Sequence, residues 1–74
     1  MKSVDLHNLP HDVAERVVFN FIMNNCDELP VEIITGKSER MRQIVINIVE
    51  RYKFGYHYSK FSNVGSLVIT ESSW

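Results

Sequence analysis

Apolar and polar residues alternate over residues 3–7, Ser-Val-Asp-Leu-His, so Val4 and Leu6 point to one side and Asp5 and His7 to the other. This pattern predicts a short strand with one buried face. Asn8-Leu9-Pro10 breaks it, and Pro10 suits the first turn of a helix, where its missing N–H costs nothing. Over residues 10–25 the period lengthens. Val13, Val17 and Phe21, with Ala14, Val18 and Ile22 beside them, form a stripe at three- and four-residue spacing, which predicts a helix. Asp12 and Glu15 fall early in it, where the helix dipole favours anions. The run Asn24-Asn25-Cys26-Asp27-Glu28-Leu29-Pro30 ends it.

Residues 31–35, Val-Glu-Ile-Ile-Thr, are β-branched and mostly apolar, as in a central strand. Gly36 stops that strand, and Ser38 is placed to cap the next helix. Residues 39–52 carry the clearest helical pattern: Met41, Ile44, Val45, Ile48, Val49 and Tyr52 share one stripe, and Ile46 is the one apolar residue on the polar side. Residues 53–60 alternate, with aromatics at 54, 56 and 58, and residues 66–71 form a final strand after a turn at 61–65. The last two strands are expected to pair as a hairpin. The predicted order is β-α-β-α-β-β. If both right-handed crossovers step the same way, both helices cover one face of a four-stranded mixed sheet. The fold class is therefore α/β, built as an α+β two-layer sandwich.

A chain of 74 residues is too short for two cores, so residues 1–74 are expected to form a single domain. Its hydrophobic fraction of 45% suffices for one small core. The single cysteine, Cys26, forbids an internal disulfide and points to a reducing compartment, with the cytoplasm as the default. No apolar run is long enough for a membrane span or a signal peptide, so no membrane partner is expected. A net charge of −1 argues against a strongly basic, non-specific nucleic-acid binder, while leaving room for a local basic patch.

Ligands of open α/β sheets tend to bind beyond the carboxyl ends of the strands. If the first two strands are parallel neighbours, two elements meet there. One is Asp5-x-His7. The other is Thr35-Gly36-Lys37-Ser38, running into the second helix, with Arg40 and Arg42 in its first turns. A helix N-terminus suits a phosphate, and Lys37 adds a mobile positive charge. His7 could serve as general acid or base, and Asp5 could orient it or bind a divalent ion. A Walker A reading of Gly36-Lys37-Ser38 fails, because the position of its first glycine holds Val31.

Val4-Asp5-Leu6-His7 before a helix, followed by Thr35-Gly36-Lys37 after a strand, resembles the Smr (small MutS-related) domain family, whose hallmarks are L-D-x-H-G and H/T-G-x-G. The resemblance spans nearly the whole chain, including Val64-Gly65-Ser66-Leu67-Val68-Ile69. It implies a sandwich like the C-terminal domain of a bacterial translation initiation factor, nucleic-acid binding, and in several members endonuclease activity on DNA or RNA. The implicated motifs map to Asp5, His7, Gly36 and Lys37. The chain departs from the pattern at Val4, at Asn8 in place of the first motif's glycine, at Ser38 in place of the second motif's last glycine, and in its late glycine turn, reduced to Gly65. These departures bear on catalysis more than on the fold. Most members carry the domain as an appendage, whereas here it is read as standing alone.

The resemblance implies Asp5 and His7 as catalytic residues and Gly36 and Lys37 as phosphate-binding ones, and the reading of the same edge adds Thr35, Ser38, Arg40 and Arg42 to the expected nucleic-acid or phosphate-binding set. The expected partner is RNA or DNA, with RNA favoured by family analogy, and a magnesium or manganese ion is the candidate cofactor. Alternatives stay open: a non-catalytic binding module, or a module that docks a protein partner. A monomer is expected, although alternating strands at the chain end could leave an edge that pairs in a dimer. On spacing alone, Asp5 and His7 better suit a solvated strand face with a local ion pair, and the resemblance reverses that preference. His7 and His11 straddle a turn and are not expected to hold zinc. Phe54, Tyr56 and Tyr58 share one face and suit a core better than a base-stacking platform. His57 is expected on a half-exposed strand face, Lys53, Lys60, Arg40 and Arg42 as a modest basic rim, Cys26 as a packing residue and Trp74 as a frayed end.

Overall fold

Hydrogen-bonded pairing sets the strand order in the sheet as β1-β2-β4-β3, where β1 is Ser3–Asp5, β2 Val31–Ile34, β3 Gly55–Tyr58 and β4 Ser66–Thr70. The structure is a computed structural model and describes residues 1–58 and 65–71. Positions 61–64 of the expected turn, together with Ser59, Lys60 and Trp74, lie outside the described residues. β1 and β2 run parallel, while β4 is antiparallel to both β2 and β3, so β2 is an interior strand and the last two strands form the expected antiparallel pair.

Helix α1 spans His11–Asn24 and α2 spans Glu39–Arg51. The first crossover moves the chain one place along the sheet. The second moves it two places in the same direction, past β4. Two right-handed crossovers of that kind put both helices on one face. The core agrees: Ala14, Val18 and Ile22 of α1 and Met41, Val45, Ile48 and Val49 of α2 join Val31, Ile33, Leu67 and Ile69 in one buried cluster. In α1 the row Ala14-Val18-Ile22 is the buried one, Val17 and Phe21 flank it, and Val13 is exposed. Ile46, off the main stripe of α2, is half-buried against the same core.

Several boundaries are tighter than the hydrophobic pattern alone indicates. β1 stops at Asp5, and His7 lies in a turn, not in a strand over 3–7. Leu6 still donates to the Ile34 carbonyl (2.8 Å), but Leu9 N–H then bonds the Leu6 carbonyl (2.9 Å) and folds the chain back. Pro10 takes the N-cap position of α1, just before its first helical residue. α2 ends in a Schellman arrangement, with Phe54 N–H on the Val49 carbonyl (2.9 Å) and Lys53 N–H on that of Glu50 (3.2 Å). That motif needs a left-handed residue, and here it is Lys53, at φ 64°. The strand predicted over 53–60 therefore begins only at Gly55, where a Cβ would meet the Thr70 hydroxyl at 2.7 Å.

Phe54 and Tyr56 pack against the core, while Tyr58, at the end of β3, is exposed. The face carrying these rings is the helix-covered one, since Tyr56 pairs with buried Ile69 and Tyr58 with buried Leu67, so an open base-stacking platform at 54, 56 and 58 is excluded. His57 is exposed. Cys26, expected to pack, is exposed. The buried residue at that helix end is Asn25, whose side-chain N–H donates to the Phe21 carbonyl (2.8 Å) and closes one of the helix's last open acceptors. Lys53 stands at the opposite end of α2 from Arg40 and Arg42, so these cations do not form one rim; a helix of this length spans about 20 Å.

Candidate functional site

β1 and β2 end side by side, and the turns that leave the two strands are packed against each other. Asp5 is the last residue of β1. Its Oδ1 accepts two hydrogen bonds from His7, one from the backbone N–H (3.0 Å) and one at ring Nδ1 (2.5 Å). A carboxylate can only accept, so Nδ1 carries a proton, and in the neutral ring Nε2 is the nitrogen left with a lone pair. The two side chains are about half exposed, at 50% for His7 and 52% for Asp5. Among the described residues nothing engages Nε2. The two His7 donors, the ring first and then the backbone, hold the Asp5 carboxyl below its ordinary pKa. The expected juxtaposition of Asp5 and His7 thus arises from a turn that brings His7 back over Asp5, not from two positions on one strand face.

Past β2, Thr35 is buried and Gly36 turns the chain at φ 69°. A Cβ built on Gly36 would stand 2.9 Å from the Cβ of His7, so the missing side chain lets the loop lie directly against the histidine. The loop is tied to the far side of the sheet as well. The Gly65 carbonyl, one residue before β4, accepts from Thr35 N–H (2.8 Å) and Gly36 N–H (3.1 Å). The Thr35 hydroxyl lies within hydrogen-bond distance of the carbonyls of Gly36 (2.9 Å) and Gly65 (3.3 Å). In the sequence Gly65 reads as a turn glycine and not as part of the site. The one signal pointing further is its position beside the strand that pairs with β2.

The phosphate-binding set divides under this geometry. Thr35 and the Gly36 N–H are occupied by the clip to Gly65. Ser38 caps α2, its side-chain oxygen accepting from Met41 N–H at 3.1 Å. Arg42 is half-buried, with its guanidinium on the Glu39 carboxylate at 2.7 Å. Lys37 and Arg40 are exposed and form no ion pair among the described residues. The structure therefore brings Asp5, His7 and Gly36 into direct association, with Lys37 following and Arg40 one turn on. The carboxylate and the two cations differ in what they can do: one orients the imidazole, and the others offer charge to an anion.

Among the described residues, the side chains at this edge form no protein cage for a divalent ion. Oδ1 of Asp5 is taken by two donors, and among the described residues no group of three or more His, Cys, Asp or Glu side chains converges on a common point.

In class, this is a small two-layer α/β domain carrying a carboxylate-oriented histidine at the carboxyl edge of its parallel strand pair. Compared with known proteins, the chain matches no family model and no curated protein. Among the described residues, no helix is long and apolar enough to cross a membrane.

Proposed function

We propose that this chain is an Smr-like domain that binds RNA or DNA and cleaves its phosphodiester backbone. The observation that carries the reading is the Asp5–His7 pair, with Nδ1 fixed at 2.5 Å from the carboxylate, set directly against the Gly36 turn. In this reading Nε2 of His7 takes the proton of the attacking hydroxyl or water and returns it to the leaving oxygen. Asp5 keeps the ring in the working tautomer and faces the positive charge that develops on it, as a carboxylate does in other His-dependent sites. Lys37 and Arg40 hold the phosphate and oppose its growing negative charge.

A second reading is binding without cleavage, and one observation favours it. The Gly36 N–H and the Thr35 donors are already engaged by Gly65, so the turn offers an incoming phosphate fewer backbone donors than an open glycine loop would. Docking of a protein partner at the same edge is the third reading. All three are separated by incubating purified protein with end-labelled single-stranded RNA and with supercoiled plasmid, in magnesium, manganese or chelator, beside an Asp5→Ala, His7→Ala double variant. Cutting by the wild type alone supports the nuclease. Equal cutting, or none, removes it, and retained gel-shift binding then supports the second reading.

A further inference from the structure

The chain has 3 histidines, and they are not chemically alike. Among the described residues, only His7 has a carboxylate on its ring, at Nδ1. The Nδ1 of His57 lies 3.2 Å from the Tyr58 carbonyl, a neutral partner. His11 is exposed at the start of α1, with no hydrogen bond from its ring among the described residues. A neutral imidazole whose Nδ1–H is held by a carboxylate presents one nitrogen, Nε2, with its lone pair outward. That is the state in which histidine acts as a nucleophile as well as a base.

We propose that His7 is a phosphoryl acceptor: its Nε2 forms a covalent bond to phosphorus when offered a phosphoryl donor with a good leaving group, such as a phosphoramidate or an acyl phosphate. The inference rests on the reading of this edge as facing a phosphate, and it adds an activity to it. The Nε2 lone pair attacks phosphorus. The bond from phosphorus to the leaving group breaks, and its electron pair departs with that group. No oxidant or reductant enters. The ring keeps its Nδ1 proton and becomes cationic as the P–N bond forms, and the Asp5 carboxylate at 2.5 Å is already placed against that charge. The Gly36 turn touches His7 at its Cβ, the stem of the side chain, so the close packing is at the stem and the side chain beyond it stays half exposed. Lys37, the next residue, supplies charge for the transferred group. Water later cleaves the P–N bond and restores His7.

The test uses the intact chain and potassium phosphoramidate, read by intact mass and by phosphorus NMR, with the site mapped by fragmentation of the labelled wild type. One phosphoryl group on His7, lost on mild acid treatment as a P–N bond requires, is the expected result. His11→Gln and His57→Gln variants should label like wild type, His7→Gln should not, and Asp5→Asn should label about tenfold more slowly. Mapping on the wild type keeps the outcome decisive even if a His7 variant folds poorly. No label, or label spread evenly over His7, His11 and His57, overturns the proposal. The nuclease assay is scored separately. Label without cutting keeps the acceptor and removes the nuclease, whereas cutting without label means that Nε2 moves protons only and removes the acceptor.

Discussion

Gly36 and His7 are packed so closely that a Cβ on the glycine would stand 2.9 Å from the Cβ of the histidine. They lie 29 positions apart in the sequence. Two separate constraints meet at Gly36. Its φ of 69° disfavours any side chain, and the space where a side chain would go belongs to His7. The contact makes the β2–α2 turn part of the surface that sets the position of the imidazole.

Gly36→Ala should therefore destabilise the fold by about 1–2 kcal/mol from backbone conformation alone, with a further cost from the contact. A double-mutant cycle separates the two. In a His7→Gly background the opposing Cβ is gone and only the backbone cost remains, so urea denaturation should show Gly36→Ala to be milder there. Equal penalties in both backgrounds would mean that the contact is energetically empty.

Asp5 gives a prediction in pH. Its carboxyl is held below its ordinary pKa, first by the His7 ring and then by the His7 backbone N–H. In the window between the folded and unfolded values the unfolded chain binds more protons, so the contribution is fully present above the ordinary aspartate range and is lost as pH falls through the depressed folded value. A carboxyl-carbon NMR titration should place the Asp5 midpoint below that of a free aspartate. His7→Ala should move it upward but not fully back, because the backbone donor survives. The stability difference between wild type and Asp5→Asn should shrink in strong acid. A midpoint that ignores His7→Ala would dissolve the pair.

The sandwich is legible in the sequence because its information is local. The β-branched run Val31–Ile34, the helical stripe from Met41 to Val49 and the cap at Ser38 each declare themselves within a few residues, and the element order then fixes the layers. The features that escape depend on tertiary contact. Lys53 takes the left-handed position of the Schellman closure of α2, although the alternating pattern places it at the start of a strand. Asn25 is buried and Cys26 exposed, the reverse of their hydrophobicity, because the helix end needs a donor for the Phe21 carbonyl. At the site, the i, i+2 spacing of Asp5 and His7 suggests a pair, but the pair forms through the turn after β1 and not on one strand face. The clip from Thr35 and Gly36 to Gly65 is not legible, as it joins segments 30 residues apart.

The Ser38 cap has its own test. Ser38→Ala removes the acceptor for Met41 N–H and should lower stability by about 1 kcal/mol, read as a shift in the urea midpoint with an unchanged slope. Ser38→Asp keeps an acceptor and adds a charge that the helix dipole favours, so it should match or exceed wild-type stability. It also places a negative charge beside Lys37, so it should weaken nucleic-acid binding. Opposite signs in stability and binding from one substitution would identify this helix start as the surface that meets the phosphate.

Lys37, Arg40 and Arg42 group together in the sequence, but their surroundings differ, and this difference predicts different behaviour. Lys37 and Arg40 are exposed and form no ion pair among the described residues, whereas Arg42 is half-buried on Glu39. A cation that meets a phosphate displaces a condensed counterion, so on a single strand each such contact contributes about 0.7 to the slope of log affinity against log salt. Lys37→Ala and Arg40→Ala should each weaken binding to single-stranded RNA and reduce that slope by about 0.7. Arg42→Ala should change the slope little and act instead on folding, through loss of its contact with Glu39 and of the packing of its stem. Fluorescence anisotropy across a salt series reads all three variants. If the slope fell equally for Arg42→Ala, the ion pair with Glu39 would have to open on binding and the phosphate path would run further along α2. If it fell for none of the three, this helix start would not be the nucleic-acid surface, and docking of a protein partner would become the leading reading of the edge.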